Sequence, residues 1–268
     1  TGVELAGTMA EISRHTLKRE FRNIDPTDAQ IILVEAGDRI LPAFPSDLSA
    51  KAQNSLEKLG VVVRTCTKVS DIAADHLVVE FGGAPQKLPT HTVFWAAGVA
   101  ASPLGKMLAD AIGGQLDRSG RIAVESDLTL AGHPEIVVLG DMATFLHQNG
   151  KPLPGVAPVA IQQGKYAAKL IQARSRGQKL PPFHYHDLGN LATIGRSAAV
   201  ADLGKVHVSG LLAWWLWVVI HLMKIVTFRN RLLVLVQWAW NYITYDRSAR
   251  LITGANVERD LREDNPVL

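Results

Sequence analysis

The opening stretch Thr1-Gly2-Val3-Glu4-Leu5-Ala6-Gly7 sets small residues at Gly2, Ala6 and Gly7. Downstream, Ile31-Ile32-Leu33-Val34-Glu35 is an apolar, β-branched run closed by one carboxylate. A helix that opens on small residues packs closely on a strand, and a strand ending in an acid carries it to the edge of a sheet. Together they match a dinucleotide-binding βαβ unit from its third glycine onward. There the free N–H groups and the dipole at the helix N-terminus favour a pyrophosphate, and Glu35 would accept hydrogen bonds from an adenosine ribose. Apolar residues at Val3, Leu5, Ala6, Met9, Ile12 and Leu17 predict a helix from Gly2 to about Phe21. An extended helix accounts for an arm longer than the roughly 20 residues usual before the acidic partner. The chain opens inside the motif without an initiator Met or a signal peptide, so it reads as the C-terminal part of a longer protein that lacks the first strand and first two glycines. A small-residue helix start more often reflects simple packing than cofactor binding; Glu35 and the stretches below shift the balance.

At 268 residues the chain can bury one large core or two smaller ones. Its 47% hydrophobic content is concentrated rather than spread, with Trp214, Trp215, Trp217, Trp238 and Trp240 in one region. A net charge of +3 without a basic, aromatic-studded stripe outside that region argues against nucleic acid as a partner. Cys66 is the single cysteine, which excludes an intrachain disulfide or a cysteine-pair redox centre in this chain. Its flanks, Val61-Val62-Val63 and Val69, read as strand, so a buried, inert thiol in a reducing compartment is expected.

Asn23 to Gln30 reads as a polar turn broken by Pro26, and 31–34 as a buried strand. Ser46 suits an N-cap for a helix to Leu59 that stops at Gly60. Residues 61–64 read as the next parallel strand, and 67–94 as an antiparallel excursion turning near Gly82-Gly83. His91-Thr92-Val93-Phe94-Trp95-Ala96-Ala97-Gly98-Val99 then predicts a strand that ends in small residues, as a sheet edge facing a ligand would need.

A second site-like stretch is Pro134-Glu135-Ile136-Val137-Val138-Leu139-Gly140-Asp141, preceded by the strand-like Gly120-Arg121-Ile122-Ala123-Val124. A carboxylate after a strand and glycine can bond a ribityl or ribose hydroxyl, or simply cap a helix. Gly155-Val156-Ala157-Pro158 opens a clear helix through Ala168, with a small-residue N-terminus that lets a flat ring approach the positive dipole end. Gln162 and Gln163 on it are otherwise ordinary solvated helix residues. His184 and His186 lack a completing cysteine or carboxylate cluster, so no metal is expected.

In this order, with Ala192-Thr193-Ile194-Gly195-Arg196-Ser197-Ala198-Ala199-Val200, the stretches resemble the type II NADH:quinone oxidoreductases. The resemblance covers the chain to about Gly254 and implies an α/β, two-dinucleotide-binding-domain (Rossmann-like) flavoprotein fold with FAD and NAD(H) as cofactors. It divides the chain into an NAD(H)-binding domain (1–112), the returning segment of a split FAD domain (113–182), and a C-terminal region (183–268). It implies Glu35 at the adenosine ribose, Gly2 in the dinucleotide turn, and Glu4 with Ala97 and Gly98 near the nicotinamide. Gly140 and Asp141 would contact FAD, and Ala157 and Pro158 would lie at the flavin's pyrimidine side and the quinone slot. Many members carry Gln where this chain has Pro158, which has no N–H and no polar side chain; Gln162, one turn later, becomes the candidate for quinone contact. Without the N-terminal FAD half, the fragment alone is not expected to retain flavin or turn over. Glu35 would repel a 2′-phosphate, favouring NADH, although Arg39 lies four residues on.

Residues 211–226 contain only His221 and Lys224 as strongly polar groups, and 231–245 repeat the theme with Asn241 and Tyr245 on a polar stripe. With Arg229, Arg231, Arg247 and Arg250 alongside, these Trp-rich helices suit a headgroup interface. They are too short and too charged to read as a membrane span. Monotopic attachment at the cytoplasmic face of the cell membrane is expected, strengthened by anionic lipid, with a homodimer left open. The expected activity is hydride transfer from NADH to FAD, then two electrons to membrane quinone without proton pumping. The rivals are another pyridine-nucleotide flavoprotein reductase and a membrane-bound, non-catalytic NAD(H)-binding module.

Overall fold

A computed structural model of the chain describes residues 1–18 and 21–244, built around two main apolar cores. The first grows from the opening motif. Helix α1 (Gly2–Glu11) buries Val3, Ala6, Gly7 and Ala10, the spacing of one helical stripe. It meets strand β1 (Ile32–Val34), which pairs in parallel with β2 (Val62–Arg64), Ile32 opposite Val62 and Val34 opposite Arg64. Helix α2 (Ser46–Lys58) joins them and buries Leu48, Ala52 and Leu56 completely.

Two expectations change here. Helix α1 ends at Glu11 and not near Phe21; Ile12–Thr16 is a π-helical turn. In that turn the Ser13 hydroxyl folds back onto the Ala10 carbonyl at 3.1 Å, and Arg14 reaches the carbonyls of Leu59 and Gly60. Side chains competing for backbone acceptors break the regular ladder. Ser46 is the first helical residue of α2, and Pro45, whose fixed φ sets the extended entry, occupies the N-cap without a side-chain bond.

Strands β3 (Thr67–Ile72), β4 (His76–Phe81) and β5 (Ala84–Pro89) form the expected antiparallel meander. Gly82 and Gly83 are both at positive φ, as a two-residue hairpin turn requires. The strand predicted over 91–99 does not form: 92–102 carry no regular structure, and Phe94, Trp95 and Val99 are exposed. A strand needs a neighbour to take its N–H and C=O groups, and no described strand pairs with this segment. Cys66 is exposed, at a corner with positive φ between β2 and β3, rather than buried in a strand.

The second core joins α3 (Pro103–Ile112), β6 (Ile122–Ala123), β7 (Thr129–Leu130), β8 (His133–Val137), β9 (Ala143–Thr144) and the start of α4 (Ala157–Ser175). Strands β7 and β8 form a hairpin, and β6 runs parallel to β9. Asp117 ties the loop before β6 to β9, accepting from the Thr144 hydroxyl (2.7 Å), Arg121 Nε (2.7 Å) and the Ser119 N–H (2.8 Å).

The third sheet, β10 (Asn190–Thr193), β11 (Ala199–Asp202) and β12 (His207–Gly210), is an antiparallel meander that backs the first core. Its central strand is buried on both faces. Val200 joins Ala192 and Ile194 in the core with α1 and α2, while Ala199 and Ala201 pack with Ala213 of α5 (Leu211–Lys224). Helix α6 (Phe228–Thr244) folds back on α5, with Trp217 and Trp238 stacked at 5.7 Å. Its far end is held by a 2.9 Å hydrogen bond between Tyr242 and Ser197 and by Arg196 over the Tyr242 ring. Tyr245, Arg247 and Arg250 lie outside the described residues.

Candidate functional site

Three segments distant in sequence meet at the N-terminus of α1. A Cβ added at Gly2 would stand 3.6 Å from Ala96 Cβ and 3.6 Å from Leu33 Cδ1. The helix start therefore lies against β1 and the small-residue segment that carries Ala97 and Gly98, the latter at positive φ. Glu35 follows β1 directly: its N–H donates to the Arg64 carbonyl at 2.8 Å and its carbonyl accepts from Thr67 N–H at 3.0 Å. Its side chain is half-buried; Oε1 accepts the Gly37 N–H at 2.8 Å, and Oε2 has no hydrogen-bond partner among the described residues. A cradle lined by a glycine and closed by a carboxylate with one open oxygen fits an adenosine ribose and pyrophosphate. Glu4, on the first turns of α1, stands 3.5 Å from the Thr193 hydroxyl, so the C-terminal sheet borders this site.

The second constellation surrounds Gly140 and Asp141, in a 3₁₀ turn after β8. Leu139 is that turn's N-cap, so Asp141 does not cap a helix. Its carboxylate is exposed and faces Gly155, where an added Cβ would come within 3.4 Å of Oδ1. Gly140, at positive φ, would meet Ala160 of α4 at 3.4 Å. The bare carboxylate, the glycine opposite and the uncapped N-terminus of α4, with Ala157 and Pro158 in its first turn, fit a polyol and the edge of a flat ring.

Gln162 and Gln163 have different tasks. Gln162 pairs with both sides of residue 186, Nε2 donating to the His186 carbonyl (2.8 Å) and Oε1 accepting its N–H (3.0 Å). Gln163 is buried and accepts the Gly140 N–H at 2.6 Å, locking the strand-to-glycine turn onto α4. Gln163 is thus not the solvated helix residue expected, yet a signal was there. It lies on the buried stripe Val159, Gln163, Ala167, Leu170, where a polar side chain must have a partner.

A cavity of about 610 Å³ lies at the other end of α1 and is lined in part by Glu11, His15, Lys58, Arg196 and Tyr242. Burial raises the Glu11 carboxyl above its ordinary value, against the opposing pull of the Arg196 N–H and charge. No group of three or more metal-ligating side chains occurs among the described residues; His184 and His186 stand as a ring pair with centroids 5.0 Å apart.

Residues 1–164 match the family described as pyridine nucleotide-disulphide oxidoreductase, and 187–245 match the NDH2 C-terminal domain. The chain is 38% identical over 257 residues to the type II NADH:quinone oxidoreductase Ndh of Mycobacterium tuberculosis, covering 94% of this chain and 54% of that protein. It is 39% identical to NdhA of the same organism, over 94% of this chain and 54% of that protein. The structure of NDH2 from Plasmodium falciparum in complex with NADH superposes with a TM-score of 0.83 at 19% identity, over 92% of this chain and 64% of that one, which establishes the shared fold. The chain thus spans about half the length of the curated relatives it matches.

Proposed function

The chain belongs to the pyridine nucleotide-disulphide oxidoreductase family, and on that premise we propose that it is the dinucleotide-facing and membrane-facing part of an FAD-dependent NADH:quinone oxidoreductase. The observation that carries this reading is the presence, in one chain, of a glycine-lined, carboxylate-closed cradle at the N-terminus of α1 and an exposed Trp-rich helical hairpin. A reductase with only soluble partners has no use for the hairpin.

In this reading Glu35 Oε2 accepts a ribose hydroxyl of NADH and opposes a 2′-phosphate. Gly2 lets the pyrophosphate approach the N-terminus of α1, and Glu4 with Ala97 and Gly98 borders the nicotinamide. Asp141 accepts from a ribityl hydroxyl of FAD, while Gly140, Ala157 and Pro158 leave room for the ring. FAD held by these residues would supply the redox chemistry between NADH and quinone, while the protein supplies orientation and electrostatics. Pro158 offers no donor to a quinone, so Gln162 is the contact candidate. Its amide is paired with His186, and it reaches quinone only if one of those two bonds opens. Electron delivery at the membrane surface involves no proton pumping.

The membrane reading rests on α5 and α6. Leu212, Trp215, Val219 and Met223 form one exposed stripe, and Leu232, Val236, Trp240 and Ile243 a second. At the turn between the helices, Val226 is 76% and Phe228 78% exposed, flanked by Lys224 and Arg229. Arg231 Nε donates to the Ile225 carbonyl at 2.8 Å and fixes that turn. No described helix is long and apolar enough to cross a membrane. An apolar face rimmed by cations lies along the interface of a bilayer, on the cytoplasmic side where the anionic headgroups are.

The test uses the whole protein in detergent, with flavin absorbance followed as anaerobic NADH and then a soluble quinone are added. Bleaching by NADH and recovery with quinone are expected. Bleaching without recovery overturns the acceptor; a protein that binds NADH but no flavin is the non-catalytic module instead.

A further inference from the structure

We propose that Arg39 determines dinucleotide specificity as a positioning residue: it closes the loop behind Glu35 and is thereby withheld from a 2′-phosphate. The inference rests on the reading of the Glu35 cradle as an NADH site. A guanidinium four residues after the ribose-binding acid is well matched to a phosphate if it is free to turn. Here it is engaged. Nη1 donates to the Phe44 carbonyl at 2.6 Å and Nη2 to the Pro42 carbonyl at 3.0 Å.

Those two bonds tie the loop to its own far end, toward α2 and away from the cradle. The rest of the loop is pinned in the same sense. Ile40 is buried, and its carbonyl accepts the Ser49 hydroxyl at 2.6 Å. Phe44 N–H donates to the Leu41 carbonyl at 2.9 Å, and Leu41 is held at positive φ. At the near end, Gly37 N–H holds Glu35 Oε1, and a Cβ at Gly37 would lie only 3.3 Å from that oxygen and 3.7 Å from the Arg39 carbonyl. Gly37 therefore links the arginine's backbone to the carboxylate: order in the loop is order in Glu35. Asp38, exposed on the same turn, adds a second negative charge to it. The cradle thus presents the Glu35 carboxylate while the Arg39 guanidinium is engaged on the Phe44 and Pro42 carbonyls.

The test compares the whole protein with Arg39→Ala, Arg39→Lys and Glu35→Gln, measuring KM and kcat with NADH and NADPH and a soluble quinone. Losing two charge-assisted hydrogen bonds that order the loop is expected to raise KM for NADH about 10-fold in Arg39→Ala, with kcat little changed. The NADH preference then falls because NADH binding worsens. Arg39→Lys, whose single ammonium replaces the fork poorly, is expected to fall between wild type and alanine. Glu35→Gln is expected to weaken NADH and to relieve part of the repulsion of a 2′-phosphate, with NADH still preferred because the guanidinium stays engaged. The proposal is overturned if Arg39→Ala harms NADPH more than NADH, if it leaves both unchanged, or if Glu35→Gln makes NADPH the preferred substrate. Wild-type protein that does not use NADH overturns the site reading itself, and this inference with it; any of the other results in an active wild type overturns Arg39 alone.

Discussion

At Gly7 helix α1 lies directly against the backbone at Ile194, and Gly7→Ala tests that junction. An added Cβ would stand 2.8 Å from the Ile194 carbonyl oxygen and 2.9 Å from its carbon, both backbone atoms that cannot rotate away. Nor can α1 slide along β10. Glu4 faces the Thr193 hydroxyl on one side of the contact, and Glu11 accepts the Arg196 N–H at 2.7 Å on the other. Overpacking of this kind costs about 1–3 kcal/mol. Alanine returns about 0.5–1 kcal/mol through its higher helix propensity. The net is a loss on the order of 1–2 kcal/mol, a drop of about 2–8 °C in the unfolding midpoint for a domain of this size. Gly164→Ala is the control: it lies in α4 with no atom within 4 Å of an added Cβ, so the propensity gain of about 0.5–1 kcal/mol stands alone. Thermal unfolding of the whole protein by circular dichroism should move the two midpoints in opposite directions. A neutral or stabilising Gly7→Ala would refute the close approach of α1 to β10.

Gln163→Leu leaves the Gly140 N–H without its acceptor, at a cost of about 1–3 kcal/mol, and should lower the flavin-to-protein absorbance ratio; an unchanged ratio would separate this turn from the cofactor. Asp117 carries an acid-side stability term. Burial alone would raise its pKa, but the Thr144 hydroxyl, the Arg121 and Ser119 N–H groups and the Arg121 side chain hold it at about 2, below its ordinary 3.8. A depressed folded-state pKa means the stabilisation is present above the unfolded value and lost as pH falls from about 4 toward 2, a term that solvent screening holds to about 1 kcal/mol. Asp117→Asn should flatten that stretch of a denaturation-versus-pH profile. Phe228→Asp, at the exposed turn between α5 and α6, should weaken co-sedimentation with anionic vesicles while leaving the melting midpoint within about 1 °C, since surface substitutions shift stability little.

Much of the first core was legible because its signals are local. The apolar run before Glu35, the Gly60 stop and the Gly82-Gly83 turn each state their own geometry. The same holds for Gly2, whose lack of a side chain at a helix start foretells a close neighbour. What failed was set by partners far away in sequence. The 91–99 run has strand-like composition, but a strand exists only beside another, and composition does not say whether one is there. Cys66 sits at a chain reversal whose positive φ no flanking valine reveals. The packing of β10 on α1 joins residues some 190 positions apart, so the sequence divided what the fold unites. Gln162 and Gln163 were separable only by phase on α4, and the phase depends on which face the second core covers.

The most direct test of the account joins its two halves, the cradle at Glu35 and the hairpin of α5 and α6. It is NADH oxidation by the whole protein with a long-chain quinone dissolved in anionic vesicles, with vesicle-bound and free protein assayed separately. The account predicts that activity sediments with the vesicles, and that Phe228→Asp loses it there while keeping activity toward a soluble quinone. Turnover that stays in the supernatant, or a vesicle-bound protein that oxidises NADH without reducing the embedded quinone, would contradict it.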